Sequence, residues 1–142
     1  MNTTSHARPA FATAAGSRVP APTLGDIRAA VGADVIWCPD LTTPVAGVVA
    51  ADLMSDVLVD ARPGFVLVTG LANVQVVRTA AIADLAAVVF ARGKVIPPEV
   101  LELARESRLP LFRCQRSLFE TAGLLYAAVG RPDDDERRRR PA

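Results

Sequence analysis

The chain has 142 residues, of which 51% are hydrophobic and 5% aromatic, with a formal net charge of +1. That length suits one domain with an aliphatic core, and the balanced charge excludes the simplest nucleic-acid binder, which needs a basic face. No apolar run reaches the roughly 18 residues of a membrane span, and no continuous apolar segment serves as a secretory signal. Two cysteines and one histidine, His6, do not make a zinc set. The compartment expected by default is the cytoplasm.

Residues 1–22 are rich in Ala, Pro, Ser and Thr and lack periodicity, so a disordered tail is expected. Arg8 and Arg18 without an acidic neighbour give a faint transit-peptide character. Thr23 opens the domain and can cap a helix, with Asp26 placed for a capping box. Leu24, Ile27, Ala30 and Val31 share a face, and Gly32 suits the helix end. Asp34 to Cys38 reads as a strand stopped by Pro39. Val45 to Ala50 is a small-residue strand in which Gly47 marks a close backbone approach. Asp52 to Asp60 has helical spacing, with Leu53, Met54, Val57 and Leu58 as its apolar stripe.

Gly64 to Gly70 is the most informative stretch. Its Phe-Val-Leu-Val run has no alternation, as in a central parallel strand covered on both faces. Asn73 can cap the next helix, whose expected buried face is Val74, Val77, Ala81 and Ile82. Leu85 to Ala91 is a second fully apolar strand with Arg92-Gly93-Lys94 as its exit loop. Pro97 and Pro98 preset a helix to Ser107, with Val100, Leu101 and Ala104 inward. Leu109 to Cys114 is the last strand, its Pro110 marking an edge or a strand start. Ser117 and Glu120 form a second capping box, opening a helix that Gly130 and Pro132 end. The RPDDDERRRRPA segment from Arg131 reads as a charged, disordered tail. Its Arg137 to Arg140 run can touch RNA or acidic lipid, although such runs commonly serve only solvation. Strands alternating with helices predict an α/β fold, a mainly parallel sheet of about five strands with helices on both faces, over residues 23–130.

The segments ADLMSDVL (Ala51 to Leu58), VLVTGLANVQVVRTAAIADLAAVVFARGK (Val66 to Lys94), PPEVLELARESRLPLF (Pro97 to Phe112) and SLFETAGLLY (Ser117 to Tyr126) resemble the DRTGG domain family, above all its small stand-alone members. The resemblance implies a domain similar to the N-terminal domain of HPr kinase/phosphorylase. It implies one also found beside CBS domains in nucleotide-regulated enzymes, with no catalytic activity or cofactor of its own. The namesake pattern is not kept. Where the family has an Asp-Arg pair and then a Gly-Gly pair, Thr42 to Val48 retains only Gly47. A phosphate-binding GxxxxGK[ST] loop is absent too, so kinase activity does not follow.

In such a sheet, ligands sit outside the carboxyl ends of the strands. The groups expected there are Cys38, Thr69 to Asn73, Arg92 to Lys94 and Arg113 to Ser117. One reading is a pocket for a small anion or nucleotide, held by Thr69, Gly70, Asn73, Arg92, Arg113, Arg116 and Ser117, with Lys94 nearby. The other makes Thr69, Asn73 and Ser117 turn and cap residues and leaves the arginines solvated. Cys38 and Cys114 form a redox pair if neighbouring, and otherwise are small buried thiols. Asp52 and Asp56, one helical turn apart, read as a solvated helix face rather than an acid-base pair. The expected function is a non-catalytic regulatory or adaptor domain for a small anionic ligand or nucleotide, self-associating as a homodimer or docking a partner protein. The alternative is a pure protein-interaction module, with an enzyme third. Neither membrane nor nucleic acid is an expected partner.

Overall fold

The computed structural model describes residues 11–12 and 18–130; the remaining stretches of the expected tails lie outside the described residues. Two short strands, β1 (Phe11–Ala12) and β2 (Arg18–Val19), pair antiparallel ahead of the domain. Chain order then runs α1 (Leu24–Val31), β3 (Asp34–Trp37), β4 (Gly47–Ala50), α2 (Met54–Asp60), β5 (Phe65–Thr69), α3 (Val74–Ile82), β6 (Ala87–Phe90), α4 (Pro98–Glu106), β7 (Leu111–Arg113) and α5 (Leu118–Val129).

The five-stranded sheet has the order β3-β7-β6-β5-β4. Strands β4, β5, β6 and β7 are parallel, while β3 pairs antiparallel with β7. The fold is thus α/β with a mostly parallel sheet, and every residue of β5 and β6 is buried. The antiparallel edge follows from the link between β3 and β4, which lie on opposite edges of the sheet. Crossing four strand spacings takes about 19 Å, and the link from Cys38 to Ala46 reaches at most about 30 Å. Ending β3 at the amino edge of the parallel strands lets that link run along one edge and enter β4 directly.

Two apolar layers sandwich the sheet. Met54, Val57, Val76, Val77, Ala80, Val100 and Ala104 from α2, α3 and α4 pack on Leu67, Val88, Phe90 and Leu111. Leu24, Ile27, Val31, Leu125 and Val129 from α1 and α5 pack on Val66, Val68, Val89 and Phe112 on the other face. Alternate residues of one strand go to opposite layers, as the strand period of two requires.

Both capping boxes form. Thr23 Oγ1 accepts from the Asp26 amide at 3.2 Å and Ser117 Oγ from the Glu120 amide at 3.1 Å. The free amides of Leu24 and Gly25 at the start of α1 donate to Thr43 O and Leu41 O at 2.9 and 2.8 Å, so the loop after β3 closes that helix end. Pro110 is a strand start rather than an edge marker, because β7 lies between β3 and β6.

Two helix faces differ from the expected ones. On α3 the buried residues are Val76, Val77, Thr79 and Ala80, and Ile82 is 79% exposed. On α2 only Met54 and Val57 are buried, and Leu53 is the exposed residue before the helix. In both segments apolar residues cover most of the circumference, so spacing alone does not select the inward face.

Candidate functional site

The loops after β4, β5, β6 and β7 meet at the carboxyl edge of the sheet, stitched together by backbone and side-chain bonds. Ala51 N donates to Val68 O at 3.1 Å and Ala91 N to Thr69 O at 2.9 Å. Arg92 N donates to Arg116 O and Gly93 N to Cys114 O, each at 2.8 Å. The Asp52 carboxylate ties the first two loops. Its Oδ1 accepts from Thr69 Oγ1 at 3.0 Å and from Gly70 N at 2.7 Å.

Arg92 sits at the centre of this edge. Its φ is +64°, in the left-handed region that a non-glycine residue rarely adopts. Such an outlier persists where its surroundings fix it and is commonest at functional sites. Here the fixing bond is the one from Arg92 N to Arg116 O. The guanidinium lies directly over the bare Cα of Gly70, where a Cβ would overlap Nη2 and come within 3.1 Å of Cζ. Arg92 Nη2 stands 3.8 Å from Asp52 Oδ2, too long for a hydrogen bond, and the two side chains are 51% and 43% exposed. The next residue, Gly93, also has a left-handed φ of +62°, and the Gln115 side chain folds over it. Lys94 is exposed and has no ion-pair partner among the described residues.

The other candidate residues are held by the fold in different ways. Thr69 Oγ1 donates to Asp52 and accepts from Leu71 N at 3.2 Å, shaping the turn after β5. Asn73 Oδ1 caps α3 by accepting from Val76 N at 3.1 Å. Ser117 caps α5. Arg116 Nε donates to Val31 O at 3.2 Å, binding the end of α1, and its Nη1 faces Glu120 at 3.9 Å. Arg113 faces Asp34 of β3 at 3.9 Å, while its buried Nε has no hydrogen-bond partner among the described residues. Arg92 therefore forms the exposed centre over the buried Gly70, Thr69 supports it, and Asn73, Ser117 and Arg116 are tied to helix ends.

Asp52 is the residue that the helical reading misplaced. The helix starts at Met54 with Leu53 before it, so Asp52 lies outside α2 and is not stacked above Asp56. The usable signal was its position two residues after a strand, where a parallel sheet gathers its ligand-facing groups. Cys38 does not reach this edge. Because β3 runs antiparallel, with Asp34 opposite Arg113 and Trp37 opposite Leu111, Cys38 and Cys114 flank opposite ends of the strand pair. Four strand steps, about 13 Å, exceed the roughly 7 Å limit for a disulfide, and both thiols are free. Burial pushes the Cys38 thiol up from its ordinary value. Thr121 gives its single hydroxyl proton to Ser117 O at 2.7 Å, which leaves Cys114 Sγ to donate across the 3.2 Å separation to Thr121 Oγ1.

No protein-family model matches the chain, and no curated protein sequence matches it. Among solved structures the fold is similar to the CBS and DRTGG domains of the regulatory region of a Clostridium perfringens pyrophosphatase, complexed with its activator diadenosine tetraphosphate. The TM-score is 0.63 at 14% identity, covering 76% of this chain and 47% of that one. This chain thus spans about half the length of that neighbour, and the likeness is one of fold. Among the described residues, no helix is long and apolar enough to cross a membrane.

Proposed function

We propose that this chain is a non-catalytic regulatory domain of DRTGG type that senses a small anionic ligand, of the nucleotide class, at the carboxyl edge of its sheet. The observation that carries the reading is Arg92. A cationic group is held by a left-handed backbone over a glycine, half exposed, with a single loose acidic neighbour among the described residues, at 3.8 Å. An exposed pair of that kind contributes little to stability, so folding alone gives weak reason for the arrangement. Lys94 on the same loop adds a second cation. The fold likeness to a regulatory region that binds a nucleotide activator supports the ligand class.

The test is thermal denaturation and calorimetry with AMP, ATP and diadenosine tetraphosphate. A ligand at about 100 times its dissociation constant adds about 2.7 kcal/mol, a shift of several degrees in a domain of this size. Arg92→Ala is expected to abolish the shift while leaving the unliganded midpoint nearly unchanged. No shift with any of these compounds would sink the reading.

A second reading, a protein-interaction module that self-associates or docks a partner, is favoured by α5. Phe119 and Tyr126, one above the other at i and i+7, are 87% and 56% exposed on that helix.

A further inference from the structure

The donors that an anion would use at this edge are already engaged. The Gly70 amide and Thr69 hydroxyl both point at Asp52 Oδ1, so a resident carboxylate fills the position nearest Arg92. Its second oxygen, Oδ2, accepts no hydrogen bond among the described residues and faces the guanidinium at 3.8 Å. With the side chain 43% exposed, that oxygen is within reach of a ligand.

We propose that Asp52 sets the selectivity of the site, admitting phosphate esters that carry a neighbouring hydroxyl and rejecting bare phosphate; this rests on the reading of Arg92 as an anion receptor. The physical basis is a difference between two anions of similar charge. Inorganic phosphate drawn to Arg92 and Lys94 meets the Asp52 carboxylate within a few ångströms, and like charges at that range oppose one another. A sugar phosphate places its phosphate on the same cations. It can also turn a hydroxyl toward Oδ2, replacing part of the repulsion with a charge-assisted hydrogen bond. The Arg92 backbone amide is fixed to Arg116 O, and its head group lies over Gly70 beside Asp52, so an anion drawn to it arrives next to the carboxylate. The ligand class is therefore a sugar or nucleoside phosphate, recognised at two points.

The experiment measures affinity for ribose 5-phosphate and for inorganic phosphate by calorimetry at fixed ionic strength, on the full chain and on Asp52→Asn. Asparagine keeps an acceptor for Gly70 N and Thr69 Oγ1 while removing the charge. The natural chain is expected to prefer ribose 5-phosphate by about tenfold, and Asp52→Asn to bind inorganic phosphate about tenfold more tightly than the natural chain does. An unchanged or lower phosphate affinity in a folded Asp52→Asn protein would overturn the proposal. Arg92→Ala separates the two ideas. If it binds both compounds as the natural chain does, the anion-receptor reading falls. If the natural chain binds neither compound, that reading falls and the proposal that rests on it falls with it. Should Asp52→Asn fail to fold, Asp52→Ser takes its place with the same two outcomes.

Discussion

The absent side chain of Gly70 shapes the site as much as any present one. Gly70 is buried, yet the atoms that a Cβ would displace belong to the far end of a flexible arginine. Gly70→Ala should therefore cost little in stability, within about 0.5–1 kcal/mol, while pushing the Arg92 guanidinium off its seat. The expected outcome is a near-normal melting midpoint with nucleotide affinity reduced about tenfold or more. Normal affinity in a folded Gly70→Ala protein would show that the seating of Arg92 is unimportant. The residue-scale signals visible in the sequence were those with local causes. Thr23 with Asp26, Ser117 with Glu120, and Asn73 each cap the helix that follows, because a cap needs only residues within three positions. Asp52 was not legible in the same way: its partners, Thr69 and Gly70, are 17 and 18 residues away and meet it only once β4 and β5 pair.

At the scale of elements, β4 depends on an absent Cβ in a more rigid setting. A Cβ on Gly47 would lie 2.7 Å from two ring carbons of Phe65, a buried side chain of the neighbouring strand. Gly47 is closely approached, but by the Phe65 ring and not by the backbone expected there. Gly47→Ala overpacks that contact and is expected to destabilise the domain by about 1–3 kcal/mol, read as a lower denaturant midpoint at unchanged slope. The loop that closes α1 gives a pH signature. Asp40 Oδ1 accepts from the Thr42 amide at 2.9 Å and from its hydroxyl, and these bonds hold the carboxyl below its ordinary value. A carboxyl lowered in the folded state lends stability above its unfolded value and loses it as pH falls through the folded one. Stability should therefore fall more steeply below about pH 4 in the natural chain than in Asp40→Asn, as urea titrations at several pH values can show; identical acid profiles would exclude this role. The direction of β3 was not legible, since Asp34 to Trp37 is as suited to an antiparallel edge as to a parallel one. The inward faces of α2 and α3 were hidden for the related reason that Leu58, Val59 and Ile82 are apolar yet point outward.

At the scale of the whole molecule, the uninterrupted apolar runs of β5 and β6 dictate two-sided cover, and the helices supply it as α2, α3 and α4 on one face and α1 and α5 on the other. That much of the architecture is written in the sequence because burial on both faces leaves no alternation to misread. It also places every parallel strand end on one edge, so a candidate site could be localised before its geometry was known. The central claim is that this edge, built on Arg92, Gly70 and Asp52, receives an anionic ligand. Amide chemical shifts recorded during a nucleotide titration test it most directly. The perturbed amides are expected to cluster at Gly70, Leu71, Arg92, Gly93 and Gln115, and Arg92→Ala is expected to remove the effect. Perturbations confined to α5 around Phe119 and Tyr126, or none at saturating nucleotide, would contradict it.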